Sequence, residues 1–275
     1  MLRVFVKQTI RKLSTNASAG KCNRLEGKVA IVTASTRGIG LAIARRFAQE
    51  GAKVMICSRK EPNVKKAVEE LKSEGLQVSS VVCHVSDSDH RKNLLEKTKE
   101  EFGGLDILVS NAGVNPVNPD PKPLFDTTEQ LWDKIFDVNV KSSFLLMQES
   151  LPLLRKSKSP SIILISSIAA YQPVTLLGAY AVSKTCLVGL NYIAAASLAS
   201  EGIRVNAIAP GIIKTKFSQL LVEGKRGDTF LSLIPMQRFG ETNDIAGVAA
   251  FLASNDAAYI TGETIVAAGG MRSRL

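Results

Sequence analysis

The chain is poor in the residues that build metal centres and disulfide frameworks. It has four cysteines, Cys22, Cys57, Cys83 and Cys186, with no CxxC pair, and only two histidines, His84 and His90, in 275 residues. That excludes a cysteine-stapled secreted fold and a His/Cys metal cluster, and it suits a reducing compartment. Aromatics are scarce at 5%, with a single tryptophan, so base-stacking surfaces for nucleic acid are not indicated. No repeat or low-complexity tract is present. The longest run without a charge, Ser159 to Ser183, is broken by Pro160, Pro173 and several serines, which argues against a membrane span and for a buried strand followed by a loop.

Acid is missing from the first 24 residues altogether, while Arg3, Lys7, Arg11, Lys12, Lys21 and Arg24 are all there. These six account for most of the net charge of +10. The body therefore has an ordinary, weakly basic surface, with no indication of a nucleic-acid partner. Residues 1–24 read as a separate segment. On a helix Leu2, Phe5, Val6, Ile10 and Leu13 share a face opposite most of the charges, the pattern of a mitochondrial transit peptide, with a frayed extension as the alternative. The chain closes on Ser273-Arg274-Leu275 (273–275), a variant of the tripeptide read by the peroxisomal import receptor. The expected location is the peroxisome, with the mitochondrion as alternative.

Residues 25–272 alternate short β-branched runs with longer helical patterns. The runs are 29–33, 53–57, 78–83, 105–110, 161–166, 203–209 and 263–268. Helical periodicity covers 39–50, 64–74, 88–102, 129–156, 179–200 and 242–254, leaving long loops at 112–128 and 210–240. Strands apolar throughout and separated by helices predict an α/β fold: one domain, a Rossmann-type doubly wound parallel sheet of about seven strands. Ligands then bind at the carboxyl ends of the strands.

After the first run comes Thr33-Ala34-Ser35-Thr36-Arg37-Gly38-Ile39-Gly40, opening a helix. Small residues there let a pyrophosphate approach backbone N–H groups at a helix N-terminus; the alternative is a plain tight turn. An NAD site usually places a carboxylate at the end of the second strand, but Cys57-Ser58-Arg59-Lys60 stands there. With Arg37, Arg59 can pair with a 2′-phosphate, an advantage of about 2–4 kcal/mol for NADPH; solvated rim arginines are the bland reading. Further on, Tyr180 and Lys184 stand at i and i+4, on one helical face. An ammonium about 6 Å from a phenol favours phenolate by about 2.8 kcal/mol at an effective dielectric near 20. This predicts a Tyr180 pKa drawn from about 10 toward 8, and an acid–base near neutrality. Ser167, ending the 161–166 run, can donate to a carbonyl oxygen, although serines at strand ends are also common turn formers.

The set TASTRGIG (33–40), SNAG (110–113), Asn139 in DVNVK, Ser167, YAVSK (180–184) and PGIIKT (210–215) resembles the short-chain dehydrogenase/reductases over about residues 25–270. The resemblance implies Tyr180 as proton donor and Ser167 as carbonyl-polarising hydroxyl. It implies Lys184 on the nicotinamide ribose and Asn139 anchoring a proton-relay water. Cofactor contacts are implied at Ser35, Thr36, Arg37, Gly38, Ile39, Gly40, Ser58, Arg59, His84, Val85, Asn111, Ala112, Gly113, Pro210, Gly211, Ile213 and Thr215. Three positions depart from the family pattern: Ala34 for the first glycine, His84 for an adenine-binding aspartate, and Ser110 for an asparagine. VCHVSD, SSIAAY, IKTKFS, YITGET and the SRL terminus are similar to a branch of NADPH-dependent carbonyl and retinal reductases. That implies a homotetramer acting on aromatic ketones, α-dicarbonyls and retinal. Ile168, Tyr171, Leu177 and Phe217, with Ser167, are the expected substrate wall. Lys214, Lys216, Lys225 and Arg226 keep open a 3-oxoacyl-thioester reductase, and an NADPH-sensing protein without turnover is a third reading.

Overall fold

A computed structural model describes residues 23–115, 123–172 and 175–273. The terminal segments 1–24 and 273–275 lie outside them, apart from Asn23, Arg24 and Ser273. Seven parallel strands form one sheet in the order β3-β2-β1-β4-β5-β6-β7. They are β1 (Val29–Val32), β2 (Lys53–Ser58), β3 (Val78–Val82), β4 (Ile107–Ser110), β5 (Ser161–Ile165), β6 (Arg204–Pro210) and β7 (Thr264–Ala267). Every expected strand is present. The four central strands are buried almost throughout and the edge strands β3 and β7 only in part. This explains why the central runs carry no polar alternation: both faces are covered.

Strand alternation sorts the core into two halves. Ala30, Val32, Val54, Ile56, Ile107, Val109, Ile163 and Ile165 face one layer, formed with α1 (Gly38–Gln49), α2 (Glu61–Ser73) and α9 (Thr242–Ala253). Ile31, Met55, Leu108, Ile162 and Leu164 face the other, under α3 (Ser88–Phe102), α5 (Ser142–Leu154) and α6 (Gly178–Leu198). The helix expected over 129–156 is α4 (Glu129–Phe136) running into α5 through a π-helical turn, Asp137–Lys141. The expected loop 210–240 holds two short helices, α7 (Gln219–Val222) and α8 (Gly224–Ser232). The first, QLLV, is a single turn and too short for a period to register, and the second, GKRGDTFLS, has too few apolar residues.

Two further points refine the sequence reading. Arg24 belongs to the folded body, because its guanidinium donates to both oxygens of buried Glu50 at 2.8 and 2.7 Å. By length and composition Gly178–Glu201 could cross a membrane. Its inner face, however, carries buried Tyr180, Ser183, Lys184 and Asn191 and packs on β6, while Tyr192 and Ile193 on the outer face are exposed, as in a helix covering a sheet.

Phe47 on α1 is fully buried in the first core layer. Phe47→Ala is expected to destabilise the protein by about 3–5 kcal/mol, read as a lowered urea midpoint with an unchanged slope.

Candidate active site

The strand order reverses between β1 and β4, which opens a crevice at their carboxyl ends. A polar clasp closes its floor. Thr33 Oγ1 accepts the backbone N–H groups of Asn111 and Ala112, both at 2.9 Å, while Asn111 Nδ2 donates back to the Thr33 carbonyl at 2.8 Å. Ser35 extends the clasp toward β2: its hydroxyl donates to the Val32 carbonyl and accepts the Cys57 N–H. Thr33 is a residue that motif reading passed over. Its signal was a hydroxyl at the end of an otherwise apolar strand.

The turn after β1 is shaped for an anion. Gly38 has φ +58°, and Ala34, at the position of the family's first glycine, has φ +50°, so the chain there takes the left-handed path even with a methyl group. A Cβ on Gly40 would lie 2.5 Å from Asn111 Nδ2 and 2.6 Å from the Ala34 carbonyl, so only glycine fits. The N-terminus of α1 has no side-chain cap and no acid in its first turn. Its free N–H groups and partial positive charge therefore face the crevice unopposed, which fits a pyrophosphate.

Above this floor lies a cavity of about 670 Å³. Of the expected cofactor residues, Arg37, Gly38, Ile39, Gly40, Asn111, Gly113, Pro210, Gly211, Ile213 and Thr215 line it, together with Tyr180 and Lys184. From the expected substrate wall come Ser167, Ile168, Leu177 and Phe217. The Phe217 ring stands 6.0 Å from that of Tyr180. Ser35, Thr36, Ser58, Arg59, His84, Val85 and Ala112 are not among the cavity's lining residues. Ser35 is a brace rather than a free donor, since its hydroxyl is held within the protein. Thr215 Oγ1 pairs with Ser218 Oγ at 3.1 Å, capping the turn that leads into α7.

Ser58 ends β2 and Arg59 follows it, exposed. The Ser35 clasp to Cys57 holds this end of β2 beside the turn that carries Arg37. The first acid beyond, Glu61, is ion-paired with Lys65 at 2.8 Å. His84 is engaged locally: its Nδ1 accepts the Ser86 N–H at 3.3 Å, leaving Nε2 as the ring atom still open. Tyr171 does not line the cavity. It follows the helical turn Ile168–Ala170, and that turn brings Ala169 and Gln172 to the wall instead.

Lys184 and Tyr180 are both buried, at 3% and 8% exposure. Lys184 Nζ donates to the Ile165 carbonyl at 2.8 Å and lies 5.6 Å from the centre of the Tyr180 ring. The expectation of a depressed tyrosine pKa is corrected here. Burial pushes the phenol up to about 12, and the Ser167 hydroxyl bonding to it offsets only part of the rise. Burial also lowers the Lys184 ammonium to about 8. Desolvation outweighs the pairwise attraction that sequence spacing suggested. A phenol held this way keeps its proton, as a proton donor requires.

The Asn139 side chain is held within the protein. Its Oδ1 accepts the Val114 N–H at 2.8 Å, and Nδ2 donates to the Val114 carbonyl at 3.0 Å and to Ser183 Oγ at 2.9 Å. Both amide hydrogens are thus engaged, so a water anchored at Asn139 would donate to one of its oxygens. Asn139 is a positioning residue that ties the loop after β4 to α6, from a π-helical turn of the kind often found at functional sites. Among the described residues no group of three or more His, Cys, Asp or Glu could hold a metal ion.

A doubly wound sheet, an uncapped helix at its switch point and a buried Tyr–Lys–Ser set beside one cavity define a Rossmann-type oxidoreductase with a nicotinamide cofactor, NAD or NADP. A family profile described as enoyl-(acyl carrier protein) reductase matches residues 33–272. Dehydrogenase/reductase SDR family member 4 of Oryctolagus cuniculus is 50% identical over 262 residues, 94% of this chain and 100% of that protein. Tropinone reductase-like 3 of Erythroxylum coca is 50% identical over 258 residues, covering 92% and 96%. A solved structure assigned provisionally as a gluconate dehydrogenase of Agrobacterium tumefaciens superposes with a TM-score of 0.87 at 28% identity, covering 93% of this chain and 100% of that one. The chain belongs to the short-chain dehydrogenase/reductase family.

Lys184→Met removes a charge that is buried at a cost. It is expected to stabilise the ligand-free protein by about 1–3 kcal/mol at pH 7 in urea unfolding. The folded ammonium loses its proton near pH 8 and the unfolded one near 10.5. The penalty is therefore complete below pH 8 and fades as pH rises toward 10.5, so the gain should shrink by pH 10. An equal gain at both pH values would contradict the assigned cause.

Proposed function

We propose that the chain is an NADPH-dependent reductase of lipophilic carbonyls: aromatic ketones, α-dicarbonyls and retinal. The observation that carries this reading is the cavity in which buried Tyr180 and Lys184 meet Ser167 under the apolar cover of Ile168, Leu177 and Phe217. Such a wall suits a lipophilic carbonyl. Relatives named as a dehydrogenase/reductase and a tropinone reductase support reduction as the chemistry.

The bound nicotinamide supplies the hydride. The protein does the rest. Ser167 Oγ accepts the Ala169 N–H at 3.1 Å and bonds Tyr180; a substrate carbonyl oxygen that takes the place of the phenol receives its hydrogen as negative charge develops there. Tyr180 gives that oxygen its proton. With a pKa near 12 it is fully protonated at neutral pH, yet acidic enough to protonate an alkoxide, a far stronger base. Lys184, held on the Ile165 carbonyl, places positive charge beside the phenolate that results. Gly113 keeps the approach open, because a Cβ there would come within 3.3 Å of Lys184 Nζ.

For the cofactor, Arg37 on the cavity wall and Arg59 at the end of β2 offer charge to a 2′-phosphate. Glu61 is on the surface, paired with exposed Lys65 within α2. The second reading, a 3-oxoacyl-thioester reductase, draws on Lys214, Lys216 and Arg226 at the cavity, with Lys225 outside it; the family profile's description shares the acyl carrier but names an enoyl rather than an oxo group. Exposed Phe144 on α5 and Tyr192 and Ile193 on α6 support a subunit contact, and the homotetramer itself rests on the family resemblance. Peroxisomal import rests on the Ser273-Arg274-Leu275 terminus, and the basic 1–24 segment supports the mitochondrial alternative.

Tyr180→Phe should reduce turnover of an aromatic α-diketone by about a thousandfold or more while shifting the NADPH Kd less than about threefold. Retained turnover would remove Tyr180 from its role, and faster reduction of an acetoacetyl thioester than of the diketone would favour the second reading. Arg37→Ala and Arg59→Ala should each weaken NADPH by about tenfold and leave NADH nearly unchanged, measured by fluorescence titration. Equal loss for both cofactors would count against NADPH selection by these arginines.

A further inference from the structure

A second cavity of about 460 Å³ adjoins the first. Gly211, Ile212, Ile213 and Met271 line both, and of these four Met271 has the longest and most flexible side chain. It is buried at 9% exposure and packs with Ile168, Ile234 and Ala268, and Ile168 is the neighbour of Ser167. Two glycines turn the chain back after β7 to place it there: Gly269 at φ +63° and Gly270 at φ +90°, values a side chain rarely adopts. The returning strand is pinned on both sides of the wall. Met271 N donates to the Ala268 carbonyl at 3.2 Å, and Gln172 Nε2, from the substrate cavity, donates to the Arg272 carbonyl at 2.6 Å.

We propose that Met271 is the specificity-determining partition of the site, and that the rear cavity takes the far end of a long apolar chain on the carbonyl substrate. The inference rests on the carbonyl-reductase reading and deepens it. The front cavity must hold the nicotinamide half of the cofactor as well as the reacting carbonyl, so only part of its volume remains for substrate. Beyond Met271 the side chains of Ile234, Met236, Val266 and Ala268 share the wall with the backbone of Gly240, Gly269 and Gly270 and with Ser273. The charged groups there, Arg238 and Asp244, pair at 2.7 Å, so neither presents a free charge to a ligand. An unbranched thioether with three rotatable bonds can swing aside where a β-branched residue would block.

The test uses the full chain with NADPH and a series of 1-phenyl-1,2-alkanediones whose alkyl tail lengthens from methyl to decyl. Each methylene that enters an apolar cavity should lower KM by about two- to fourfold. Met271→Ala should raise kcat/KM for the longest member at least tenfold relative to the shortest. Met271→Phe should lower the same ratio, and Met271→Leu supplies the comparison if the alanine variant fails to fold. Chain-length profiles that run parallel in all variants would overturn the proposal. A matching series of 1-phenylalkanols, read by thermal shift of the NADPH complex, separates the two hypotheses. If the wild type reduces none of the diketones but the alcohols bind with a Met271-dependent chain preference, the reductase reading fails and the partition stands. Parallel binding profiles would remove the partition.

Discussion

A buried ammonium group sets the terms for the rest of the site. Lys184 is 3% exposed and its ammonium has the Ile165 carbonyl as a partner. A lysine has three donors, so this arrangement is costly until further acceptors arrive, and ribose hydroxyls of a nicotinamide cofactor are suitable ones. The same burial raises Tyr180 to about 12 and keeps it protonated. Two shifts in opposite directions, about 8 for the lysine and about 12 for the tyrosine, follow from one cause. Removal from water disfavours the charged form of each.

That burial depends on sheet and helix meeting in register. Ser166 Oγ donates to the Lys184 carbonyl at 2.8 Å while Lys184 Nζ reaches back to Ile165, so β5 and α6 are laced in both directions. Asn139 joins α6 to the loop after β4 through Ser183 and Val114. Thr33 and Asn111 join that loop to β1. Buried polar groups are tolerable where each finds its partner. This chain of amides and hydroxyls fixes the crevice at the point where the sheet changes direction.

Much of this was legible in the sequence because the signals were strong. Runs such as VAIVT and SIILIS have no polar alternation, as strands covered on both faces must, and all seven appear as strands. Gly40 stands out in the sequence by following a strand and opening a helix, and the structure supplies the reason, since a Cβ there would meet Asn111 and the Ala34 carbonyl. Weaker patterns were missed. Helices α7 and α8 are short, and α8 is polar enough to read as loop. The π-helical turn at Asp137–Lys141 leaves no mark in a periodic count. Tyr171 was placed on the substrate wall by proximity in sequence, but the helical turn after Ser167 brings Gln172 there in its stead.

The sequence by itself determined the layer architecture, the carboxyl-edge location of the site and the identity of its Tyr–Lys–Ser set, because hydrophobic pattern and residue spacing are local properties. Only the tertiary structure decided the protonation balance, the structural duty of Asn139 and the arrival of Met271 beside Ile168. Each of these depends on how much water is excluded, or on which distant segments meet. Desolvation acts on a group through everything packed around it, and no spacing along the chain records that.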